Sequence, residues 1–407
     1  MKIIKRPMYL DFLIRSKDRH IIKAVTGIRR CGKSTLFDIY REWLLCNGIT
    51  SEQIISVNFE DLDYEHLTDY HTLYDHINSL LLQEKMNYVF LDEIQHVKQF
   101  EKAVDSLFIK TNVDLYITGS NAYFLSGELA TLLTGRYIEL NMLPFSFSEY
   151  NEGLELLAPG EPKTKYEKFA MYLNESSFPY TLQLHGKNKD INEYLTGIVN
   201  TIMYKDIVAR LKVSDVMMLE SVSRFVFHNI GSLLSTSKIA NTMTSEGRKI
   251  DQKTVEKYIR GLIDSLMIYQ AKRYNIKGKQ YLATLEKYYI ADIGLRQILL
   301  GKRQNDQGHI LENVVYLELL RRGNNVYIGH LPDGEIDFII QNTDGVTYYQ
   351  VAATVLDKNT LQRELAPFNK VNDHHQKILL TLDDIGAGST HNGIKQYNAI
   401  DWLLSTI

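Results

Sequence analysis

Apolar and polar positions change rhythm along this chain, and each change predicts a different kind of element. Ile21–Thr26 is a short apolar run ending at Gly27. From Leu36 to Leu45 the apolar residues fall at 36, 39, 40, 43 and 44, the spacing of one helix face. Ile54–Phe59 reads as a strand, and Tyr70, Leu73, Tyr74, Ile77, Leu80 and Leu81 form a second helical stripe. Tyr88–Leu91 is a continuous apolar run of the buried-strand type, followed by Val113–Thr118 and then Tyr137–Leu140. Strands alternating with helices predict an α/β architecture, a five-stranded parallel sheet with helices on its faces, over residues 1–150.

Beyond that point the rhythm shifts. Asn151–Lys165 contains Gly153, Pro159, Gly160 and Pro162, which predicts a boundary loop opening a linker or small helical lid over 151–190. Ile191–Ile230 is patterned as helix, followed by a helix around Ser237–Met243, a loop at Gly247 and a longer helix around Gln252–Leu266. Met267–Tyr281 reads as a hairpin turning at Lys277-Gly278, and helix, helix, hairpin is the order of a winged helix, here within 191–300. The segment 301–407 opens with an amphipathic helix, Ile310–Arg322, followed by strands Val326–Leu331, Glu335–Ile340 and Tyr348–Thr354. Asp344-Gly345 is a hairpin signal between the latter two. Helix Asn359–Asn369 and strand Lys377–Leu382 complete an α-β-β-β-α-β order.

Composition narrows the class. A chain of 407 residues has room for about two to three domains. Its 44% apolar and 23% charged content is that of an ordinary globular protein. The formal net charge of -3 excludes a polycation, so nucleic acid would have to meet a local basic face. Only Cys31 and Cys46 are present, without zinc-ligand spacing, which points to a reducing compartment. Met1–Lys5 is basic, but no apolar run of signal-peptide length follows it, and no stretch of 18 apolar residues occurs. The expectation is a cytoplasmic chain that does not enter a membrane.

The strongest chemical signal is Gly27-Ile-Arg-Arg-Cys-Gly32-Lys33-Ser34-Thr35, which fits G-x-x-x-x-G-K-[ST] between a predicted strand and a predicted helix. Such a match arises by chance in roughly one or two chains per hundred of this length. Glycines let the backbone curl until its N–H groups face a phosphate, and the following helix adds its positive end. Lys33 has the reach for β and γ phosphates, the Ser34 hydroxyl suits Mg²⁺, and Thr35 is placed for the α-phosphate. Arg29, Arg30 and Cys31 fill the loop; the two arginines are candidates for phosphate or a partner subunit, or are solvated.

Downstream, Tyr88-Val-Phe-Leu-Asp92-Glu93 is an apolar strand ending in two carboxylates. Mg²⁺ takes oxygen ligands and keeps several waters, so Asp92 suits the ion and Glu93 suits the attacking water. The next strand ends in Thr118-Gly119-Ser120-Asn121, where Asn121 or Ser120 either orients that water or caps a helix. Arg136 opens the fifth strand and is a candidate cationic finger, within one subunit or across two, or a surface arginine.

On these stretches the chain resembles the prokaryotic AAA-type ATPases that carry a C-terminal domain of uncharacterised function. The resemblance rests on Thr26–Thr35, Phe90-Leu-Asp-Glu-Ile-Gln95 and Ile117–Asn121. It extends through Leu133-Thr-Gly-Arg136, Leu143-Pro-Phe-Ser-Phe147, Lys205-Asp-Ile-Val208, Ile310-Leu-Glu-Asn313 and Gly334-Glu-Ile-Asp-Phe338. It implies Mg-ATP as ligand, with ADP as product, and an added strand between the Gly27 strand and the Asp92 strand.

The C-terminal element order is similar to the PD-(D/E)XK nuclease core, where a helix glutamate, a strand aspartate and an E-x-K pair hold Mg²⁺. By position Glu312 and Asp337 are the acids, but the third motif falls on Gln350-Val351-Ala352. Strand alternation puts 350 and 352 on one face, where an amide and a methyl group replace acid and lysine. The expectation is a degenerate nuclease-like domain, with Lys358 or Lys377 as the conceivable substitutes for the lysine. In the winged-helix stretch, Lys238, Arg248, Lys249, Lys253, Lys257 and Arg260 make DNA one candidate partner, with protein docking its rival. The leading function is an ATPase switch or motor acting on DNA or a protein, with self-assembly open. The alternatives are a nucleotide-gated DNA-binding protein of slow turnover and an ATP-dependent nuclease.

Overall fold

The protein is described from a computed structural model covering residues 4–120, 133, 135–157, 160, 163–301, 306–342 and 345–405, without the side chains of 283 and 284. The chain divides into two compact units, Met1–Pro144 with Asp264–Leu266, and Phe145–Ile263 with Met267–Ile407.

Unit 1 is built on the five strands β1 (Ile22–Thr26), β2 (Ile54–Asn58), β3 (Asn87–Asp92), β4 (Val113–Gly119) and β5 (Tyr137–Asn141). They pair in the order β2-β3-β4-β1-β5, every pair parallel. β4 therefore lies between the strand that leads into Gly27 and the strand that ends at Asp92, the added strand expected from the resemblance. β1, β3 and β4 are buried along their whole length, which is why none of them shows the alternation of a half-exposed strand; Tyr88–Leu91 of β3 is an unbroken apolar run, whereas β1 and β4 also bury Lys23 and Asp114. The helices are α1 (Pro7–Ser16), α2 (Lys33–Cys46), α3 (Tyr70–Leu80) and α4 (Phe100–Phe108). α3 starts where the Asp69 carboxylate accepts from the His71 and Thr72 amides. Leu73 and Ile77 of α3 and Ala103, Val104 and Leu107 of α4 fill the core against Val89, Leu91, Leu115 and Ile117.

Under this sheet lies a buried ion pair. Lys23 and Asp114, at 0% and 2% exposure, meet directly, and Asp114 also accepts from the Tyr116 hydroxyl (2.7 Å) and the Asp18 amide (2.9 Å). The network ties the chain leading into β1 to β4.

Unit 2 opens differently from expectation. Phe147–Leu157 is a helix, α5, which runs into the start of the boundary loop expected over Asn151–Lys165; Gly153 is buried within it, and the Pro and Gly residues of the sequence follow its end. α6 (Lys165–Glu175) begins with a reciprocal cap, the Thr164 hydroxyl accepting from Glu167 N–H and the Glu167 carboxylate accepting from Thr164 N–H. α7 (Asn188–Thr201) runs on into a π-helical stretch, Ile202–Ala209, and α8 (Val216–His228) follows. α9 (Thr236–Ser245) and α10 (Gln252–Asp264) precede a hairpin of β6 (Ile268–Asn275) and β7 (Gln280–Ile290).

That hairpin is not a separate wing. It continues the C-terminal sheet, whose eight strands run β12-β13-β11-β10-β9-β8-β6-β7. Here β8 is Val326–Leu331, β9 Gly334–Asn342, β10 Gly345–Ala352, β11 Gln376–Thr381, β12 Thr390–His391 and β13 Ile394–Asn398. β6 pairs parallel to β8 through Arg273–Ile328, Tyr274–Gly329 and Asn275–His330. A division at residue 300 therefore cuts a continuous sheet, and the helical and C-terminal segments belong to one unit. α11 (Ile293–Leu300), α12 (Gln307–Arg321), α13 (Lys358–Asn369) and α14 (Ala399–Leu404) complete it. α13 lays Phe368 against Ile339, Tyr348 and Leu379 of the sheet. Among the described residues no helix is long and apolar enough to cross a membrane.

Candidate active site

Parallel pairing brings the C-terminal ends of β1, β3 and β4 to one edge, the edge at which open α/β sheets hold ligands. At the end of β1 the chain enters the loop Gly27–Gly32. A Cβ on Gly27 would stand 2.4 Å from the Met142 carbonyl oxygen and 2.7 Å from Cys31 Sγ, so no side chain fits there. Arg30 and Gly32 take left-handed backbone, with φ of 66° and 105°. Gly32 is the N-cap of α2 and brings no capping side chain, so the first amides of α2 keep their donors for a ligand. Ser34 and Thr35 are exposed at this helix end, whereas Lys33 is buried and donates to the Gly27 carbonyl at 3.2 Å.

Lys33 also reaches across to β3. Its ammonium lies 3.1 Å from Glu93 Oε1. Burial works against the charge on Lys33, but Glu93, Cys31 and Asp92 together outweigh it and hold the ammonium above its usual range. Burial likewise raises Glu93, and Lys33, Gln95 and Ser120 together bring it below the usual carboxylate range. Glu93 stands in left-handed backbone (φ 55°), an uncommon conformation for a residue with a side chain.

Thr118 of β4 locks this turn by accepting from Glu93 N–H at 2.8 Å and donating to Asp92 Oδ1. Asp92 is raised by burial against the opposing hydrogen bonds of Ser34 and Thr118. A serine hydroxyl and a buried carboxylate side by side form a hard oxygen donor set, which suits Mg²⁺ completed by phosphate oxygens and water. Among the described residues no trio of His, Cys, Asp or Glu could hold a metal without such help.

The remaining candidates divide. Ser120 meets the Gln95 amide at 3.3 Å and so joins the site, while Asn121 lies outside the described residues. Arg29 pairs at 3.3 Å with Glu60, and Arg30 is exposed. Arg136 is not brought to the phosphate loop. β5 runs parallel to β1 in register Ile22–Tyr137, and Arg136 O accepts from Ile22 N–H at the opposite end of the strand. Its guanidinium pairs with Asp105 and lies over Phe108. A finger acting on the same subunit's phosphate is therefore ruled out.

Two contributors escaped the sequence reading. Arg6, 3% exposed, donates to the Cys31 carbonyl at 2.9 Å and to the Leu143 carbonyl at 2.8 Å, holding the phosphate loop from behind. Gln95 donates to Glu93 Oε2 at 2.5 Å. Arg6 carries no motif signal; Gln95 stood inside the matched Phe90–Gln95 stretch without a role.

Unit 2 holds its own carboxylate cluster. Glu312 of α12 accepts from Lys287 Nζ at 3.0 Å and from the Tyr289 hydroxyl at 2.6 Å, both on β7. Lys287 also lies 2.8 Å from Glu335. Asp337 accepts from Val351 N–H at 2.8 Å and is pushed well above the usual carboxylate range by burial and then by the Glu312 charge. Gln350 donates to Glu364 at 3.0 Å. Neither expected substitute lysine comes near: Lys377 is spent on the Phe368 and Val371 carbonyls, and Lys358 is exposed at the start of α13. The lysine present arrives instead from the hairpin.

Comparison with known proteins agrees with this geometry. Residues 19–151 match the AAA domain family, and residues 166–306 match a domain of unknown function (DUF8612). An uncharacterized protein of Haemophilus influenzae is 38% identical over 408 residues, covering 99% of each chain. An uncharacterized protein of Methanocaldococcus jannaschii is 30% identical over 356 residues, covering 83% of this chain and 75% of the relative. The Walker-type ATPase of Pyrococcus abyssi shares the fold, with a TM-score of 0.51 at 17% identity over 73% of this chain and 96% of that one. The chain belongs to the family of its Haemophilus and Methanocaldococcus relatives and carries an AAA-type P-loop ATPase domain.

Proposed function

We propose that unit 1 binds Mg-ATP and hydrolyses it to ADP and phosphate. The observation that carries this is the meeting of Lys33 and Glu93 at 3.1 Å, beside Asp92, at the C-terminal ends of β1 and β3 on either side of β4. The amides of the loop from Gly27 to Thr35 cradle the phosphates, and Lys33 turns from Glu93 to the γ-phosphate. Ser34 and Asp92 would hold Mg²⁺, which neutralises charge on the phosphates when bound. Glu93, released from Lys33, polarises the attacking water. Phosphate release in a colorimetric assay tests this: wild type turns ATP over, and Lys33→Ala and Glu93→Gln do not.

Turnover drives a switch in which the ATP- and ADP-bound chain differ in affinity for a partner. DNA is the favoured partner because Lys238, Lys249, Lys253 and Lys257 are exposed on and between α9 and α10. Lys272, Lys277 and Lys279 of the hairpin are exposed as well. Arg248 is turned away, bonded to Ser221. Duplex binding that weakens steeply with salt supports this reading, and binding indifferent to salt counts against it.

Residues 301–407 act as a nuclease-like fold without nuclease chemistry. Lys287 neutralises Glu312 and Glu335 internally, and burial keeps Asp337 from offering charge to a metal. Divalent-dependent cleavage of DNA or RNA, lost in Asp337→Ala, would defeat that assignment.

A further inference from the structure

Gln95 does more in the fold than its position in a loop suggests. It follows Glu93 in the short turn Ile94–His96, and its Nε2 is fully used: 2.5 Å from Glu93 Oε2 and 3.3 Å from Ser120 Oγ. The amide orientation is set by this partner, since the opposite one would aim a carbonyl oxygen at a carboxylate. Its Oε1 is shielded from solvent and meets no donor among the described residues. A shielded amide acceptor without a donor costs about 1–3 kcal/mol, so it marks a place where a donor belongs. Charge divides the site in the same way. Glu93 Oε1 faces Lys33 and Glu93 Oε2 faces Gln95, so a phosphate that draws Lys33 away leaves Oε1 open while Oε2 stays fixed.

We propose that Gln95 positions the water that attacks ATP, its Nε2 holding Glu93 and its Oε1 accepting one hydrogen of that water. The inference rests on the ATPase reading and adds a residue to it. In the step, the water oxygen bonds to the γ-phosphorus as the bond from that phosphorus to the β–γ bridging oxygen breaks, and the electron pair leaves with ADP. One water proton passes to Glu93 Oε1 and from there to the phosphate product. The other stays on the hydroxyl of that phosphate, directed at Gln95 Oε1 during attack. Two polar atoms then fix the direction of the water lone pair, where Glu93 alone would fix only its distance.

The test compares wild type, Glu93→Gln, Gln95→Met and Gln95→Ala as full chains. Methionine keeps the length and volume of Gln95 without its amide donor and with only a weak thioether acceptor. Steady-state phosphate release gives kcat, calorimetry with a non-hydrolysable ATP analogue and Mg²⁺ gives Kd, and thermal unfolding reports the fold. The expected result is a kcat lowered about 100-fold in both Gln95 variants with Kd within about threefold of wild type. A kcat within about threefold of wild type in either folded variant overturns the proposal, as does a parallel loss of affinity, which marks a structural role. Wild type that does not turn over ATP removes the ATPase reading itself. Turnover lost in Glu93→Gln but kept in Gln95→Met removes this inference and leaves that reading standing.

Discussion

Replacing Lys287 by methionine removes the ammonium bonded to both Glu312 and Glu335 while keeping an unbranched side chain of similar volume. Breaking a buried pair by deleting one partner costs about 3–5 kcal/mol, because the other charge is left without compensation. Two features of the site place this case at the low end. Glu335 is 33% exposed, so water screens most of its share. Glu312 keeps the Tyr289 hydroxyl at 2.6 Å. The expected loss is about 3 kcal/mol, or about 6–12 °C in the unfolding of unit 2 at 2–4 °C per kcal/mol. Scanning calorimetry on the full chain reads the shift, and hydrogen exchange in β7, β9 and α12 assigns it to this unit. In a Glu312→Gln background the same substitution should cost only about 1 kcal/mol. A shift under about 2 °C, or an equal cost in both backgrounds, would refute the claim that Lys287 is the counter-ion of this cluster.

Other outcomes follow from the same geometry. Glu93→Gln should lower kcat by about 10²–10⁴-fold while nucleotide affinity measured by calorimetry is retained. Arg6→Ala removes the donor to the Cys31 and Leu143 carbonyls and should weaken binding of an ATP analogue as well as lower the melting temperature of unit 1. A loop that binds as before would show that Arg6 merely packs. The raised Asp337 favours the folded state most below the unfolded value of ~4, and that contribution is lost as pH rises toward its folded pKa. The unfolding free energy of unit 2 should therefore fall with rising pH from ~4 upward, and Asp337→Asn should flatten that slope in a denaturant series.

What the sequence discloses is what lies close together along it. Gly27, Gly32, Lys33 and Ser34 occupy one loop, and Asp92 and Glu93 are adjacent, so spacing alone identifies them. The core of β3 was legible for the same reason, as the uninterrupted apolar run Tyr88–Leu91. Arg6 and Lys287 could not be found that way, because the atoms they serve lie far along the chain: Cys31 and Leu143 for Arg6, Glu312 and Glu335 for Lys287. Arg136 was a candidate for its charge and its motif, although a residue that opens a strand of a parallel sheet stands at the end away from the phosphate loop. The length of β5 puts it about 16 Å from the loop end. The helix Phe147–Leu157 was hidden by Gly153 inside it and by the Gly and Pro residues just past its end, which together outweighed its apolar stripe. The hairpin was located correctly, but whether its strands stand alone or join β8 depends on pairing that only the fold supplies.

Calorimetric titration of wild type and Lys33→Ala with a non-hydrolysable ATP analogue and Mg²⁺ tests the central claim most directly. Loss of the buried ammonium held between the Gly27 carbonyl and Glu93 should weaken binding about 10- to 100-fold, the worth of a charge-assisted contact to phosphate. Equal affinity in the two proteins would mean that no triphosphate is held where β1 meets α2.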